Sequence, residues 1–202
     1  MTGVQTCALP IFSLLMARAY LDKYDDAALL FYDSEFGTPQ SYFDAFGIDT
    51  SRVVHTPITD VEQLKFDIMQ QLTNIERGDK IIIVLDSIGN LASKKEVEDA
   101  LDQKAVADMS RAKQLKSLFR MVTPHLTMKD IPMVVVNHTY KEIGLFPKDI
   151  VGGGTGSYYS ADNIFREHTD FFICVIDNNH WHIFHCQVWC YHTEQRLNLF
   201  ST

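Results

Sequence analysis

The sequence predicts an α/β fold in which a mostly parallel β-sheet is flanked by helices. The most informative segments are continuous apolar runs of strand length, at residues 27–33, 80–87 and 131–138. Such runs are typical of strands that are buried on both faces, as in a parallel sheet. Segments with helical periodicity separate the runs, and this alternating order indicates parallel pairing. With 202 residues, 46% of them hydrophobic, the chain can bury the core of one domain.

The first half of the chain adds two helices and a strand to this plan. Apolar residues at helical spacing predict a helix over residues 12–24. A short helix is predicted over residues 39–46, where Gly47 would stop it. Residues 52–57 are interpreted as a second strand, which a proline ends.

Asp60 is a candidate N-cap for the next helix, because a carboxylate there can accept the first backbone N–H groups. The apolar face of that helix consists of Val61, Leu64, Ile68 and Leu72. Gly78 is expected to end it. Beyond the strand at 80–87, residues 96–128 are predicted to be mostly helical with an interruption near the start. A further short helix is predicted over residues 157–164.

Charge is unevenly distributed along the chain. The net charge of −8 argues against nucleic-acid binding over the whole surface. Residues 87–129 nevertheless carry a balance of +3, between flanks of −7 and −4. A polyanionic partner would meet this stretch, whose basic residues include Lys94, Lys95, Arg111, Lys113, Lys116 and Arg120. Acidic residues interleave with them, so on charge alone a solvated helix face is the favoured alternative.

Two other classes of protein are excluded by composition. The apolar run of about 18 residues that a membrane span requires does not occur. Four cysteines are too few for a disulfide-built scaffold.

Possible zinc ligands gather near the end of the chain, at His182, His185, Cys186 and Cys190. Their spacing fits no usual zinc-site pattern, so zinc is not expected.

Polar side chains end three of the predicted strands. They are Asp33, Ser34 and Glu35, then Asp86 and Ser87, then Asn137 and His138. Ligands of open α/β sheets bind beyond the carboxyl ends of the strands, where these residues are expected to meet. An apolar strand that closes on an acid, as at Asp86, has the form of a Walker B strand that holds Mg²⁺ through water.

Each of these side chains also has a plainer interpretation. Many α/β strands end in an aspartate, so Asp86 alone is a weak signal. Glu35 can orient and deprotonate a water molecule, or it can simply pair with the following turn. His138 can sense a terminal phosphate, although a histidine at the margin of the core is favoured when it is taken alone. The glycine-rich segment at 151–157 is interpreted as a mobile loop hinged on glycines.

Taken together, five segments resemble the RecA-type recombinases, and the phage members of that family in particular. These are FYDSEFG (31–37), ERGDKIIIVLDSIGNLASKKEVEDAL (76–101), SRAKQLKSLFR (110–120), IPMVVVNHTY (131–140) and GGGTGSYYSADNIF (152–165). The resemblance covers residues 12–165. It implies a RecA-like core, with ATP and Mg²⁺ as cofactors.

The resemblance also assigns roles at the nucleotide. Glu35 matches the catalytic glutamate that activates water, and Tyr42 matches a tyrosine that stacks on the base. Asp86 matches the Walker B aspartate, which binds Mg²⁺ through water, with Ser87 beside it. The pair that senses the γ-phosphate corresponds to Asn137 and His138.

Single-stranded DNA and neighbouring subunits are the partners that the resemblance implies. The first DNA-binding loop corresponds to residues near 92–104, including Lys94 and Lys95. The second corresponds to residues 139–156, with Lys141 and the glycines Gly152, Gly153 and Gly154. Tyr159 falls where the family places an aromatic side chain at the subunit contact of its filaments.

The sequence departs from the family at both ends. No G-x-x-x-x-G-K-[ST] phosphate loop occurs in the chain, so tight ATP binding is not expected. Residues 1–11 are interpreted as a non-native or disordered leader that resembles translated adapter sequence; a secretory signal is the weaker alternative. Residues 12–165 form the partial RecA-like ATPase core, and 166–202 a divergent tail, either foreign or supplying edge strands.

These observations lead to two expectations about function. The first is a fragment of an ATP-dependent recombinase, inactive as an ATPase on its own and acting in the cytoplasm of a phage-infected bacterium. The alternative is a RecA-like module without a P-loop, which binds DNA or a recombinase subunit as a non-enzymatic regulator. A RecA-fold helicase or clock-type ATPase is a third and weaker hypothesis, disfavoured by the E-D-A-L segment at 98–101 and the triple glycine.

Overall fold

A computed structural model describes residues 8–89, 91–102, 110–141, 149–151, 161, 163–167 and 171–176. The described helices are α1 (Ala8–Lys23), α2 (Gln40–Ala45), α3 (Val61–Asn74), α4 (Lys94–Leu101) and α5 (Ser110–Lys129). The strands are β1 (Ala28–Asp33), β2 (Val53–Pro57), β3 (Ile81–Asp86), β4 (Met133–Lys141), β5 (Asp149–Val151), β6 (Asn163–Glu167) and β7 (Phe171–Ile176). Within these ranges, no helix is long and apolar enough to cross a membrane.

The strands form one sheet in the order β2-β1-β3-β4-β7-β6, and β5 pairs with the carboxyl end of β4. The first four strands are parallel to one another. β7 lies antiparallel to β4 and to β6, and β5 lies antiparallel to β4. The predicted α/β fold with a mostly parallel sheet is therefore confirmed.

Alternate side chains of the central strands enter two separate cores, because successive strand residues point to opposite faces. On one face, Leu30 and Tyr32 of β1 and Ile83 and Leu85 of β3 pack against α3 and α5. On the other face, the intervening residues of these strands pack against α1 and Phe43 of α2. Helices thus cover both faces, as the continuous apolar runs require.

Helix α3 begins as predicted and ends earlier than predicted. The Asp60 carboxylate accepts a hydrogen bond of 2.7 Å from the backbone N–H of Gln63, and the four apolar residues of the predicted face are all buried. The helix ends at Asn74 rather than Gly78, because Ile75 is extended. Gly78, at φ +120°, lies in the turn that follows. The Lys129 ammonium donates to the carbonyls of Leu72 and Ile75, which satisfies the end of the helix.

Two expectations about strands near the end of the chain need correction. Asn163 and Ile164 were expected in a short helix, but they lie in β6, where they pair with Val175 and Cys174 of β7. The predicted tail does supply a strand, β7, but it lies inside the sheet between β4 and β6 and not at its edge. In β6, pairing with the neighbouring β7 overrides the local helical pattern. The tail beyond Ile176 lies outside the described residues.

Candidate active site

The carboxyl ends of β1 and β3 lie side by side, next to the middle of β4. Asp33 is directly opposite Asp86 in the parallel register of β1 and β3. The ladder continues past both strands, since the Ser34 N–H donates to the Asp86 carbonyl at 2.8 Å and the Ile88 N–H donates to the Val136 carbonyl at 3.0 Å. We call this region, residues 33–35, 86–88 and 137, the carboxyl edge.

Glu35 reaches across this edge to the neighbouring strand. The Ser87 hydroxyl donates a hydrogen bond of 2.9 Å to Oε1 of Glu35. Ser34 reinforces the crossing, because its hydroxyl donates to the Ser87 carbonyl and accepts from the Ser87 N–H at 2.9 Å. Ser87 is fully buried, whereas Glu35 is exposed. The structure therefore holds a solvent-accessible carboxylate over the end of β3.

Asp33 holds the segment that carries Glu35. Its buried carboxylate accepts hydrogen bonds from the backbone N–H groups of Glu35, at 3.0 Å, and Phe36, at 2.8 Å, through Oδ1. Its Oδ2 accepts from the Thr38 N–H at 3.3 Å and lies 3.2 Å from Nε2 of His55 on β2. Sequence reasoning noted Asp33 only as one polar strand end and missed His55, because cross-strand contacts leave no trace in periodicity.

Asp86 and Asn137 are buried at the same edge, at 3% and 0% exposure. Both make interactions within the folded chain. The carboxylate of Asp33 is occupied by backbone N–H groups. That Asp86 holds Mg²⁺ through water stays a prediction. His138 follows Asn137 on β4, but its side chain lies outside the described part of the structure.

Tyr42 and the two lysines lie on helices around this edge. Tyr42 is 44% exposed on α2, next to Phe43, which packs edge-on to Phe31 of β1 at 5.2 Å. Lys94 and Lys95 are exposed in the first turn of α4, and Lys95 pairs with Asp99 at 3.1 Å. The predicted first DNA loop therefore contains a helix. A capping box between Ser93 and Glu96 starts this helix at residue 94 rather than the predicted 96.

The remaining predicted DNA and subunit contacts cannot be placed. The side chain of Lys141 is not described, although its backbone lies in β4. The glycines Gly152, Gly153 and Gly154 and the aromatic residue Tyr159 lie outside the described residues.

The carboxyl edge fits one part of a magnesium–nucleotide site. It supplies the Asp86 carboxylate, the Ser87 hydroxyl and an exposed glutamate. The part of such a site that cradles the phosphates is not matched at the start of α1. The helix is already formed at Ala8, in the sequence ALPIF, and Pro10 has no N–H to offer a phosphate. Among the described residues, no group of three or more His, Cys, Asp or Glu side chains is arranged to hold a metal by itself.

The fold and this edge define a class of protein that comparison with known families identifies. Residues 11–166 match the family model described as RecA N-terminal domain, and the chain belongs to that family. Over 154 residues it is 53% identical to the protein of Enterobacteria phage T4 described as "Recombination and repair protein". The predicted resemblance to the phage recombinases, of the UvsX type, is confirmed.

That alignment covers 76% of this chain and 39% of the phage T4 protein, so the chain spans about two fifths of the length of this relative. Among solved structures, a crystal structure of mouse CSAD is 11% identical, with a TM-score of 0.27. The match covers 78% of this chain and 39% of the mouse chain. A likeness this low carries no argument about function.

Proposed function

We propose that the chain is the core segment of an ATP-dependent DNA recombinase, which forms filaments on single-stranded DNA and promotes homologous strand exchange in recombination and repair. Family membership and the name of the phage T4 relative support the role. The single observation that carries it is the hydrogen bond of 2.9 Å from Ser87 to Glu35, directly beside Asp86. This contact brings Glu35 close to Asp86, which supports a role for the two carboxylates in nucleotide hydrolysis.

Four residues of the carboxyl edge have a part in this proposal, together with His138 and Tyr42. ATP, when bound, supplies the phosphoryl group whose hydrolysis drives the cycle. Glu35 orients a water molecule and accepts its proton, and Ser87 fixes the direction of the Glu35 carboxylate. Asp86 holds Mg²⁺ through water. Asn137 and His138 of β4 sense the terminal phosphate, and Tyr42 stacks on the base.

The DNA contacts in this proposal are local. Lys94, Lys95 and Lys141 approach the DNA phosphates. The glycines of the second DNA-binding loop let its backbone follow the DNA strand; they are Gly152, Gly153 and Gly154. Because these contacts are confined to two loops, they neutralise few DNA phosphates. The DNA affinity should therefore depend only modestly on salt, which suits an acidic protein. Tyr159 supports the contact between subunits of the filament. In this role the protein acts in the cytoplasm of the infected bacterium.

A second candidate is a RecA-like regulator without ATPase activity, which binds DNA or a recombinase subunit. The observation that favours it is the absence of a Lys-Ser/Thr phosphate loop from the sequence, together with the helical backbone from Ala8 onward. A protein of this type binds DNA equally well with and without nucleotide.

A chimaera tests the proposed function. Residues 12–165 replace the matching stretch of the phage T4 recombination and repair protein, whose remaining sequence completes the chain. We expect the chimaera to hydrolyse ATP when single-stranded DNA is added and to pair homologous strands. Glu35→Gln is expected to lower the hydrolysis rate by about 100-fold or more, because the amide cannot accept a proton from water.

Glu76→Gln is the matched control, since Glu76 is exposed in the turn before β3, at the opposite end of the sheet. It is expected to leave the rate unchanged. A chimaera that folds, as judged by circular dichroism, but neither hydrolyses ATP nor pairs strands would contradict the proposal. If the isolated chain then bound DNA with the same affinity in the presence and absence of nucleotide, the result would favour the regulator.

A further inference from the structure

The segment that carries Glu35 is wrapped around a single buried carboxylate. Asp33 is 2% exposed, and its two oxygens accept three backbone N–H groups, from Glu35, Phe36 and Thr38. Phe36 is a non-glycine residue with φ at +54°, in the left-handed region that such residues rarely adopt. A turn of this kind persists only where its surroundings hold it, and here the Asp33 carboxylate does so.

His55 holds that carboxylate from the neighbouring strand. Its Nε2 lies 3.2 Å from Oδ2 of Asp33. Because an ionised carboxylate only accepts hydrogen bonds, Nε2 carries the proton whether or not the ring is charged. The ring packs edge-on between Phe31 and Phe43, at 5.6 and 5.7 Å between centroids. These contacts fix its orientation, so His55 is a rigid donor.

The exposed side of His55 carries no charge that competes for the ring. The side chain is 31% exposed and lines a cleft of about 150 Å³ with Gln40, Phe43, Thr50 and Val53. Among the described residues that line this cleft or contact the ring, Asp33 is the one charged group. Because no other charged group in this set competes for Nε2, the hydrogen bond of His55 goes to Asp33.

We propose that Asp33, held in place by its hydrogen bond with His55, is a positioning residue that directs the Glu35 carboxylate toward Ser87. The inference rests on the proposed function, which makes Glu35 the group that activates water. Asp33 does not itself touch the reacting atoms. It sets the backbone from residue 34 to residue 38, and the direction of the Glu35 side chain follows from that backbone.

Nuclear magnetic resonance on the whole 202-residue chain tests this inference without ATP or DNA. One readout is amide hydrogen exchange at Glu35, Phe36 and Thr38. The other is the cross-relaxation peak between the Glu35 and Ser87 side chains, which a merely stabilising role of Asp33 would leave in place. The variants are Asp33→Asn, His55→Leu and His55→Gln, with Asp49→Asn as the control.

These variants separate a positioning role from a stabilising one. Asp33→Asn turns an N–H₂ group toward the donors at Thr38 and His55, so we expect exchange at Thr38 to be about tenfold faster and the Glu35–Ser87 peak to be lost. His55→Leu is expected to act in the same direction. His55→Gln keeps a donor near Nε2 and should restore both readouts. Asp49 accepts the Ser51 N–H in an exposed turn, and its replacement should change neither readout.

Several outcomes would overturn the inference. One is an unchanged peak, with exchange within about twofold of wild type, in both Asp33→Asn and His55→Leu. Another is a His55→Gln variant that gives the same two readouts as His55→Leu. A third is amide hydrogen exchange that rises equally in the central strands, because that indicates general destabilisation. If Asp33→Asn does not fold, the two His55 variants decide. An inactive chimaera would contradict the proposed function and leave this result standing.

Discussion

The hydroxyl of Ser87 donates a hydrogen bond of 2.9 Å to the carboxylate of Glu35, 52 residues earlier in the chain. The contact exists because β1 and β3 are parallel neighbours whose last residues, Asp33 and Asp86, stand opposite each other. A carboxylate from one strand end is thereby held over the acid of the next. The proposed hydrolysis of ATP depends on this contact.

The isolated chain is expected to hydrolyse ATP no faster than a protein-free control, with or without single-stranded DNA. The reason is that the sequence has no G-x-x-x-x-G-K-[ST] phosphate loop and that α1 is already helical at Ala8. Release of phosphate from purified protein measures this. A DNA-stimulated rate that Glu35→Gln abolishes would show that the chain binds and cleaves ATP in some other way.

Residual binding of single-stranded DNA is expected to depend on Lys94, Lys95 and Lys141. Replacing all three by Ala should weaken binding and lower the slope of log affinity against log salt by about one for each lysine that contacts a phosphate. Fluorescence anisotropy at several salt concentrations measures both. Lys23→Ala is the control, because Lys23 is exposed at the end of α1, just before β1. Equal losses in the control would mean that only net charge matters.

Ser93 is expected to matter for DNA binding through helix α4. It caps the helix and also bonds to Ser110 at 2.7 Å, while α4 has no buried residue to stabilise it otherwise. Ser93→Ala should cost the helix about 1 kcal/mol and fray the turn that presents Lys94 and Lys95. The measurements are helicity and DNA anisotropy, with Ser117→Ala in α5 as the control. Unchanged DNA affinity in a frayed variant would separate the lysines from their helix.

Tyr32 is expected to link stability to alkaline pH. Burial and then its hydrogen bond of 2.8 Å to Asp67 raise the pKa of Tyr32 above its ordinary value of 10.0. The folded state therefore keeps a proton that the unfolded chain loses, so this contribution to stability is complete below pH 10 and falls as the pH rises above it. Tyr32→Phe should lower the free energy of unfolding at pH 7 by about 1–3 kcal/mol.

The same variant should approach wild type above pH 10, because it has no phenol to titrate. Urea unfolding at pH 7 and at pH 11 measures the difference. Tyr42→Phe is the matched control, since Tyr42 is 44% exposed, and it should change neither value. A constant gap between Tyr32→Phe and wild type across this range would contradict the assignment.

Local patterns were enough to predict the elements that bury most of their surface. The apolar run of β3 and the four-residue face of α3 appear in the structure as the sequence indicates, since burial itself imposes those patterns. Residues 163 and 164 were predicted helical but lie in a strand, because that strand depends on pairing with β7. Pairing with a neighbouring strand leaves no periodic signal within the segment itself.

The carboxyl edge was predictable in part. Strand ends rich in acids and amides, together with the parallel order, indicated that Glu35, Asp86 and Asn137 would gather. The sequence did not indicate that Ser87 would hold Glu35 or that His55 would hold Asp33. Those contacts depend on the register of β1 with β2 and β3, which only the folded sheet fixes.

Manganese broadening of amide signals tests most directly whether one metal-and-phosphate edge exists. Mn²⁺ substitutes for Mg²⁺ on oxygen ligands, and it broadens nearby resonances. The proposal predicts that, in the chimaera with ATP bound, substoichiometric Mn²⁺ selectively broadens Glu35, Ser87 and Asn137, that Ala28 and Ile81 at the other end of the strands stay sharp, and that Asp86→Asn abolishes the effect. Broadening centred on the exposed pair Asp25 and Asp26, or unaffected by Asp86→Asn, would contradict it.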